Sequence, residues 1–134
     1  MMEAKTKFII IDDDHVNNTI CQMTIQIGLP NSDIKTFLIA EEGLAYISTK
    51  YLTTDNPTIL LLDINMPSLS GWDFLDLYEN LDTKIKEQIQ IHMLSSSVDP
   101  NDKKRAEKNK NVKGFIEKPI TIDMLQKIFG YTNN

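Results

Sequence analysis

Only one cysteine, Cys21, occurs in the 134 residues, so no internal disulfide can staple the fold and a reducing compartment is expected. Cys21 itself reads as a small apolar filler in a helix. Glycine and proline number five each, too few for a collagen-like or low-complexity chain, and no Ser-, Gly- or Pro-rich linker divides the sequence. Apolar runs are short. None approaches the ~18 residues of a membrane span, and the run after Lys7 is too short for a signal peptide, so a soluble cytoplasmic protein is expected. Basic residues are in deficit: 14 Lys and Arg against 19 Asp and Glu leave a net charge of −5, which argues against a nucleic-acid backbone binder.

What is present is ordinary for a globular protein, 41% hydrophobic and 25% charged. The length corresponds to one domain, 1–134, with its core over about 6–130. A chain of this size buries roughly two-thirds of its unfolded surface, so it needs no structural metal to fold.

Short apolar runs alternate with helical spacing. Phe8 to Ile11 reads as a first strand, and Val16, Ile20, Met23 and Ile27 mark a first helix, stopped by Gly28 and Pro30. Ile34 to Ile39 gives a second strand; Leu44, Ile47 and Tyr51 mark a second helix. Thr58 to Leu62 is apolar on both faces, which implies a parallel sheet covered by helices. After Gly71, the positions Phe74, Leu75, Tyr78 and Leu81 give a third helix, and Ile89 to Leu94 a fourth strand. Asp99 and Pro100 are an N-cap and first residue for a fourth helix, Asn101 to Asn111, whose single apolar residue is Ala106. That helix should be loosely held. Val112 to Ile116 is a fifth strand, and Thr121 opens a last helix with Leu125, Ile128 and Phe129 inward and Gly130 at its end. Five βα units with right-handed crossovers predict a flavodoxin-like, doubly wound (βα)5 α/β fold with a five-stranded parallel sheet of order 2-1-3-4-5. Its ligand site should lie beyond the carboxyl ends of strands 1 and 3.

Acids collect at those ends. Asp12, Asp13 and Asp14 follow strand 1 and Asp63 follows strand 3; crowded carboxylates must protonate or find a cation, and an all-oxygen set suits Mg²⁺. Because Mg²⁺ shares its remaining positions with water and phosphate oxygens, phosphoryl chemistry is indicated. Ser95-Ser96-Ser97 after strand 4 supplies a hydroxyl, and Lys118-Pro119 after strand 5 supplies a compact positive charge. Alone, such serines are turn formers and such a lysine is solvated; together, at one end of one sheet, they form a joint signal.

The segments Phe8-Ile-Ile-Ile-Asp-Asp-Asp14, Leu60-Leu-Leu-Asp-Ile-Asn-Met-Pro67, Met93-Leu-Ser-Ser-Ser97 and Gly114-Phe-Ile-Glu-Lys-Pro119 resemble the receiver domain of two-component response regulators, in order and over about residues 6 to 130. The resemblance is to stand-alone receivers of the chemotaxis response regulator kind. The resemblance implies that Asp63 accepts a phosphoryl group from a histidine kinase's phosphohistidine. It also implies a Mg²⁺ site in which Asp13 is a direct ligand, Asp12 acts through water, and Asp63 and the Asn65 carbonyl complete the protein ligands. Lys118 would pair with the acceptor and then the phosphoryl group, and Ser95 would bond a phosphoryl oxygen. Phe115 occupies the position of the family's switch aromatic, on the face built by the fourth helix, fifth strand and last helix. Asn65 and Ser97 occupy the positions that tune dephosphorylation.

Departures from the commonest pattern are modest. Ser95 stands where threonine is usual, so the hydroxyl switch survives; Phe115 lacks a tyrosine's hydroxyl, so a hydrogen-bonded form of the aromatic switch does not. Ile120 follows the Lys-Pro pair, a cis peptide in the family, where phenylalanine or leucine is common, and this affects packing only.

Other residues have plainer readings. Asp14 is an N-cap of the first helix, His15 a surface residue, His92 an interior strand residue and Trp72 the opening core residue of the third helix. Lys103, Lys104, Arg105, Lys108 and Lys110 form a basic run read as a solvated face, with docking onto an acidic partner as the alternative.

The function expected is a single-domain, phosphorylation-controlled binding module that catalyses only its own phosphorylation and dephosphorylation. Sixteen residues follow Lys118, so no effector domain is expected. Partners would be a sensor histidine kinase or a histidine phosphotransfer protein, plus a downstream protein target, with the chain a monomer or a phosphorylation-dependent dimer. The alternative is a phosphorelay intermediate. An aspartyl-phosphate hydrolase of the haloacid dehalogenase kind wants an acid two residues after the nucleophile, where this sequence has Asn65. A phosphate-independent pseudo-receiver is disfavoured by the full set of acids, hydroxyl and lysine.

Overall fold

Alternate residues of an extended strand point to opposite faces, and here that alternation builds two separate halves of the core. The computed structural model describes residues 6–50, 58–97 and 99–129. Along these residues run β1 (Lys7–Ile11), α1 (His15–Gly28), β2 (Asp33–Phe37), α2 (Ala40–Lys50), β3 (Thr58–Asp63), α3 (Gly71–Tyr78), α4 (Thr83–Glu87), β4 (Ile89–Ser95), α5 (Pro100–Lys108), β5 (Val112–Glu117) and α6 (Ile122–Phe129). The sheet is parallel with the order β2-β1-β3-β4-β5, as the βα alternation predicts. Phe8, Ile10, Ile59 and Leu61 join Cys21 and Ile25 of α1 and Leu125 and Phe129 of α6 on one face. Ile9, Ile11, Leu60 and Leu62 join Ile47 of α2 and Phe74, Leu75 and Tyr78 of α3 on the other. Every residue of β3 is buried, the result of a strand covered on both sides.

Three helices depart from the spacing argument. The third was expected to reach Leu81, but α3 ends at Tyr78 and a separate α4 follows, its start capped by Asp82, which accepts from Lys84 N at 2.8 Å. An aspartate four residues beyond the end of α3 offers the chain a new helix N-terminus. In α1 the stripe Val16, Ile20, Met23 and Ile27 has helical spacing but faces solvent, with Val16 and Ile27 each 65% exposed. The buried stripe is Asn18, Cys21 and Ile25. Two contacts fix that rotation: Asn18 Nδ2 donates to the Asp12 carbonyl at 2.9 Å, and Gly28 lies so close to α6 that a Cβ there would sit 2.8 Å from Leu125 Cδ2. In α6, Leu125 and Phe129 are inward, but Ile128 is 44% exposed, because it lies one residue, about 100° of helix, from that stripe. Tyr51 and Gly130, assigned from the sequence to the ends of the second and last helices, lie outside the described residues.

Elsewhere end points shift: the second strand, expected to run to Ile39, ends at Phe37 with Leu38 and Ile39 each 48% exposed, and the helix expected to reach Asn111 ends at Lys108. Asp99 caps α5, Pro100 begins it and Ala106 is its one buried residue. The basic run is exposed along α5 and just past it at Lys110, and the Arg105 guanidinium lies 4.4 Å from the centre of the half-buried Trp72 ring. That cation–π contact ties a polar helix to α3. His92 is buried in β4, edge-on to Phe129 at 4.8 Å, and burial lowers its pKa to about 4, with Lys113 acting in the same direction. No described helix is long and apolar enough to cross a membrane.

The rotation of α1 has a direct test. Ile25→Ala should cost about 2–5 kcal/mol in urea denaturation, the range for emptying a filled core site. Ile27→Ala should stay within about 0.5 kcal/mol of the parent. Equal costs would mean that the stripe is buried in solution.

Candidate functional site

Register brings the acids together. Ile11 of β1 pairs with Leu62 of β3, so the next residues, Asp12 and Asp63, leave the sheet side by side at its carboxyl edge. The third contributor comes from farther along the sheet. Ser95 of β4 pairs with Glu117 of β5, and the Lys118 N–H donates to the Ser95 carbonyl at 2.8 Å, which aims the lysine back over the strand ends. Its Nζ lies 2.8 Å from Asp12 Oδ2 and 3.1 Å from Asp63 Oδ1. The Lys118–Pro119 peptide is cis.

Asp12 is fully buried and richly bonded. Its Oδ1 accepts from Asp14 N at 2.9 Å, while Oδ2 accepts from Asn17 Nδ2 at 2.7 Å in addition to Lys118. Asp14 faces the other way and caps α1, accepting from Val16 N and Asn17 N. Asp13 is exposed, and one carboxylate oxygen from each of Asp12, Asp13 and Asp63 falls within 4.8 Å of the others. Asn65 and Ser96 also line this open cleft, with Val16 and Ile20 on its rim.

Three carboxylates face one ammonium group, and the imbalance shows in the titration of the site. Burial, followed by repulsion from Asp12, pushes the Asp63 carboxyl up to about 7 against the pull of Lys118. Burial opposes the Lys118 charge, but the hydrogen bond and attraction of Asp12, then of Asp63, outweigh it and raise the lysine's pKa. A cluster of hard oxygen donors with surplus negative charge, and no cysteine or histidine among its cleft-lining residues, fits a divalent cation such as Mg²⁺.

Two residues expected to act as switches lie outside the cleft lining. Ser95 is buried, and its hydroxyl donates to the Ser97 carbonyl of its own loop, while Ser96 takes its place in the cleft lining. Phe115 is half-buried, packs against the α2–α3 side of the core and lines a separate groove with Lys103, Ala106 and Lys113. Asn17 was overlooked. The signal was there, a polar residue in the first turn after an acidic cap, but attention to acids alone passes over a neutral amide.

A family model for the response regulator receiver domain matches residues 8–129. The chain belongs to that family. Solved receivers superpose over nearly the whole chain: a two-component response regulator from Cytophaga hutchinsonii has a TM-score of 0.85 at 27% identity, covering 95% of this chain and 96% of its own. A receiver protein from Dyadobacter fermentans gives 0.80 at 25% identity, over 94% and 99%. The chemotaxis protein CheY4 of Vibrio cholerae shares the fold at 22% identity, with a TM-score of 0.74 over 93% and 96%. No protein of curated function matches the sequence. Receiver domains are signalling phospho-acceptors that work with histidine kinases or phosphotransfer proteins and bind Mg²⁺ in an acidic pocket; in this receiver the acids that lie together are Asp12, Asp13 and Asp63.

The raised Asp63 pKa fixes the sign of a pH effect. A carboxyl that holds its proton more tightly folded than unfolded makes its charge a cost, absent below pH 3.8 and complete above about 7. Asp63→Asn should therefore be more stable than the parent by about 2–4 kcal/mol in Mg²⁺-free urea denaturation at pH 8. The gap should close toward pH 4. A pH-independent gap would contradict the assignment.

Proposed function

We propose that this receiver takes a phosphoryl group on Asp63 from the phosphohistidine of a sensor histidine kinase or histidine phosphotransfer protein. The observation that carries the reading is the ion-paired arrangement of Asp63, Lys118 and Asp12, with Asp13 beside them, at the carboxyl ends of adjacent strands. Asp63 is 4% exposed and lines an open cleft, where a donor phosphoryl group can reach it.

The chemistry balances simply. An Asp63 carboxylate oxygen forms a bond to phosphorus as the phosphorus–nitrogen bond of the donor breaks, and the imidazole leaves with the electron pair. A carboxylate is a weak nucleophile toward an anionic group, so charge on the equatorial oxygens must be neutralised. Mg²⁺, held by Asp12, Asp13, Asp63 and the Asn65 carbonyl, would supply part of that neutralisation. Lys118 supplies the rest, and its position between two carboxylates lets it pass from Asp63 to the phosphoryl group by a small shift.

The product adds nearly two negative charges to the cleft. Ser95 would leave the Ser97 carbonyl to bond a phosphoryl oxygen, drawing in the loop that leads to α5. Phe115 would then fill the space behind it, changing the face of α5, β5 and α6 that a downstream protein reads. Asn65 and Ser97 flank the acceptor and the switch hydroxyl, where they would govern how water reaches the phosphoryl group. With Asn65 exposed two residues after Asp63, no acid stands there to protonate a leaving group, which disfavours a hydrolase. The apolar Val16 and Ile20 on the cleft rim suit a partner that closes over it during transfer.

Incubation with Mg²⁺ and a small phosphoryl donor should add one phosphoryl group by intact mass. Asp63→Asn should abolish the addition without unfolding the chain, and Lys118→Ala should slow it by about 100-fold or more. Sustained turnover of a phosphomonoester, or labelling of Asp63→Asn, would overturn the proposal.

A further inference from the structure

Two consecutive asparagines, Asn17 and Asn18, both reach Asp12, the first its carboxylate and the second its carbonyl. Asn18 belongs to the packing of α1, being buried beneath the helix. Asn17 does something different. It is half-buried, lines the cleft and is fixed twice, its backbone N–H donating to the Asp14 cap at 3.2 Å and its side chain to Asp12 Oδ2 at 2.7 Å.

That oxygen has a second donor, Lys118 Nζ at 2.8 Å, which also serves Asp63 at 3.1 Å. The lysine is therefore contested between two carboxylates, and the Asn17 amide takes up hydrogen-bonding capacity on only one of them. A buried carboxylate deprived of a donor is left partly unsatisfied and less fixed in orientation. Without Asn17, the plane of the Asp12 carboxylate would be held only by the Asp14 N–H and by a lysine that Asp63 also engages. With Asn17 in place, Asp12 is held on three sides and the lysine stays shared.

Resting on the metal-assisted reading above, we propose that Asn17 is a positioning residue of the cation site. Its amide fixes the Asp12 carboxylate for a divalent cation and keeps Lys118 between Asp12 and Asp63. The assignment concerns a neutral side chain beside the acids, and partners of this kind set metal affinity although they never touch the metal.

Calorimetric titration of MgCl₂ into the unphosphorylated full chain tests it, with Asn17→Leu and Asn17→Ala removing the donor and Asn17→Gln restoring one. The donor-free variants should bind Mg²⁺ about tenfold more weakly, and Asn17→Gln should stay within about threefold of the parent. Melting without Mg²⁺ confirms that each variant is folded. Parent-like affinity in Asn17→Leu and Asn17→Ala, or an equal loss in all three variants, would overturn the inference while leaving the functional reading standing. A parent chain that takes up no Mg²⁺ at millimolar concentration would overturn both.

Discussion

Two carboxylates buried side by side with one lysine between them impose the constraint on which the rest of this molecule depends. Asp12 and Asp63 are 0% and 4% exposed, and they are neighbours only because β1 and β3 are paired in one register. A slip of one residue would turn each strand's side chains to the opposite face and separate the acids. The buried alternation of Phe8 to Ile11 against Ile59 to Leu62 therefore does more than form a core: it holds like charges together against their repulsion. Close helix packing helps to hold those strands. Gly71 starts α3 so near the end of β3 that a Cβ would lie 2.6 Å from the Asp63 carbonyl oxygen.

The surplus charge sets how readily Asp63 ionises. Burial, then repulsion from Asp12, pushes the Asp63 carboxyl up to about 7, and any cation that relieves the repulsion favours the carboxylate. In the function proposed, the same field that resists a bare anion would welcome a divalent cation and, through it, a phosphoryl group.

The helices on the two faces of the sheet are not all held equally. On one, Cys21 and Ile25 of α1 and Leu125 and Phe129 of α6 interlock beneath the sheet, and Gly28 permits close approach of the two helices. On the other, α5 commits only Ala106 to the core and leans on Trp72 through Arg105. A helix tied by so little can be moved by a small change in the loop that carries Ser95 and Ser97, whereas α1 cannot. Rigidity lies beside the acids, and compliance lies toward the surface they would control.

Much of this was legible in the residues alone. The five βα units, the parallel sheet, the acids at two strand ends, the Asp14 and Asp99 caps and the exposed basic helix all follow from local chemistry and chain order, though the short α4 does not. What spacing could not supply was phase: Val16, Ile20, Met23 and Ile27 recur as a helix requires, yet the face turned inward is Asn18, Cys21 and Ile25. Periodicity states that a helix has sides, but only contact with α6 and the Asp12 carbonyl chooses between them. The same holds for Ser95, whose hydroxyl is claimed by its own loop, and for Asn17, whose worth comes from an oxygen it shares with a lysine about a hundred residues away. Sequence determined which groups this chain carries and at which strand ends; tertiary structure decided which partners each one has, because hydrogen bonds and burial depend on separations that no local pattern encodes.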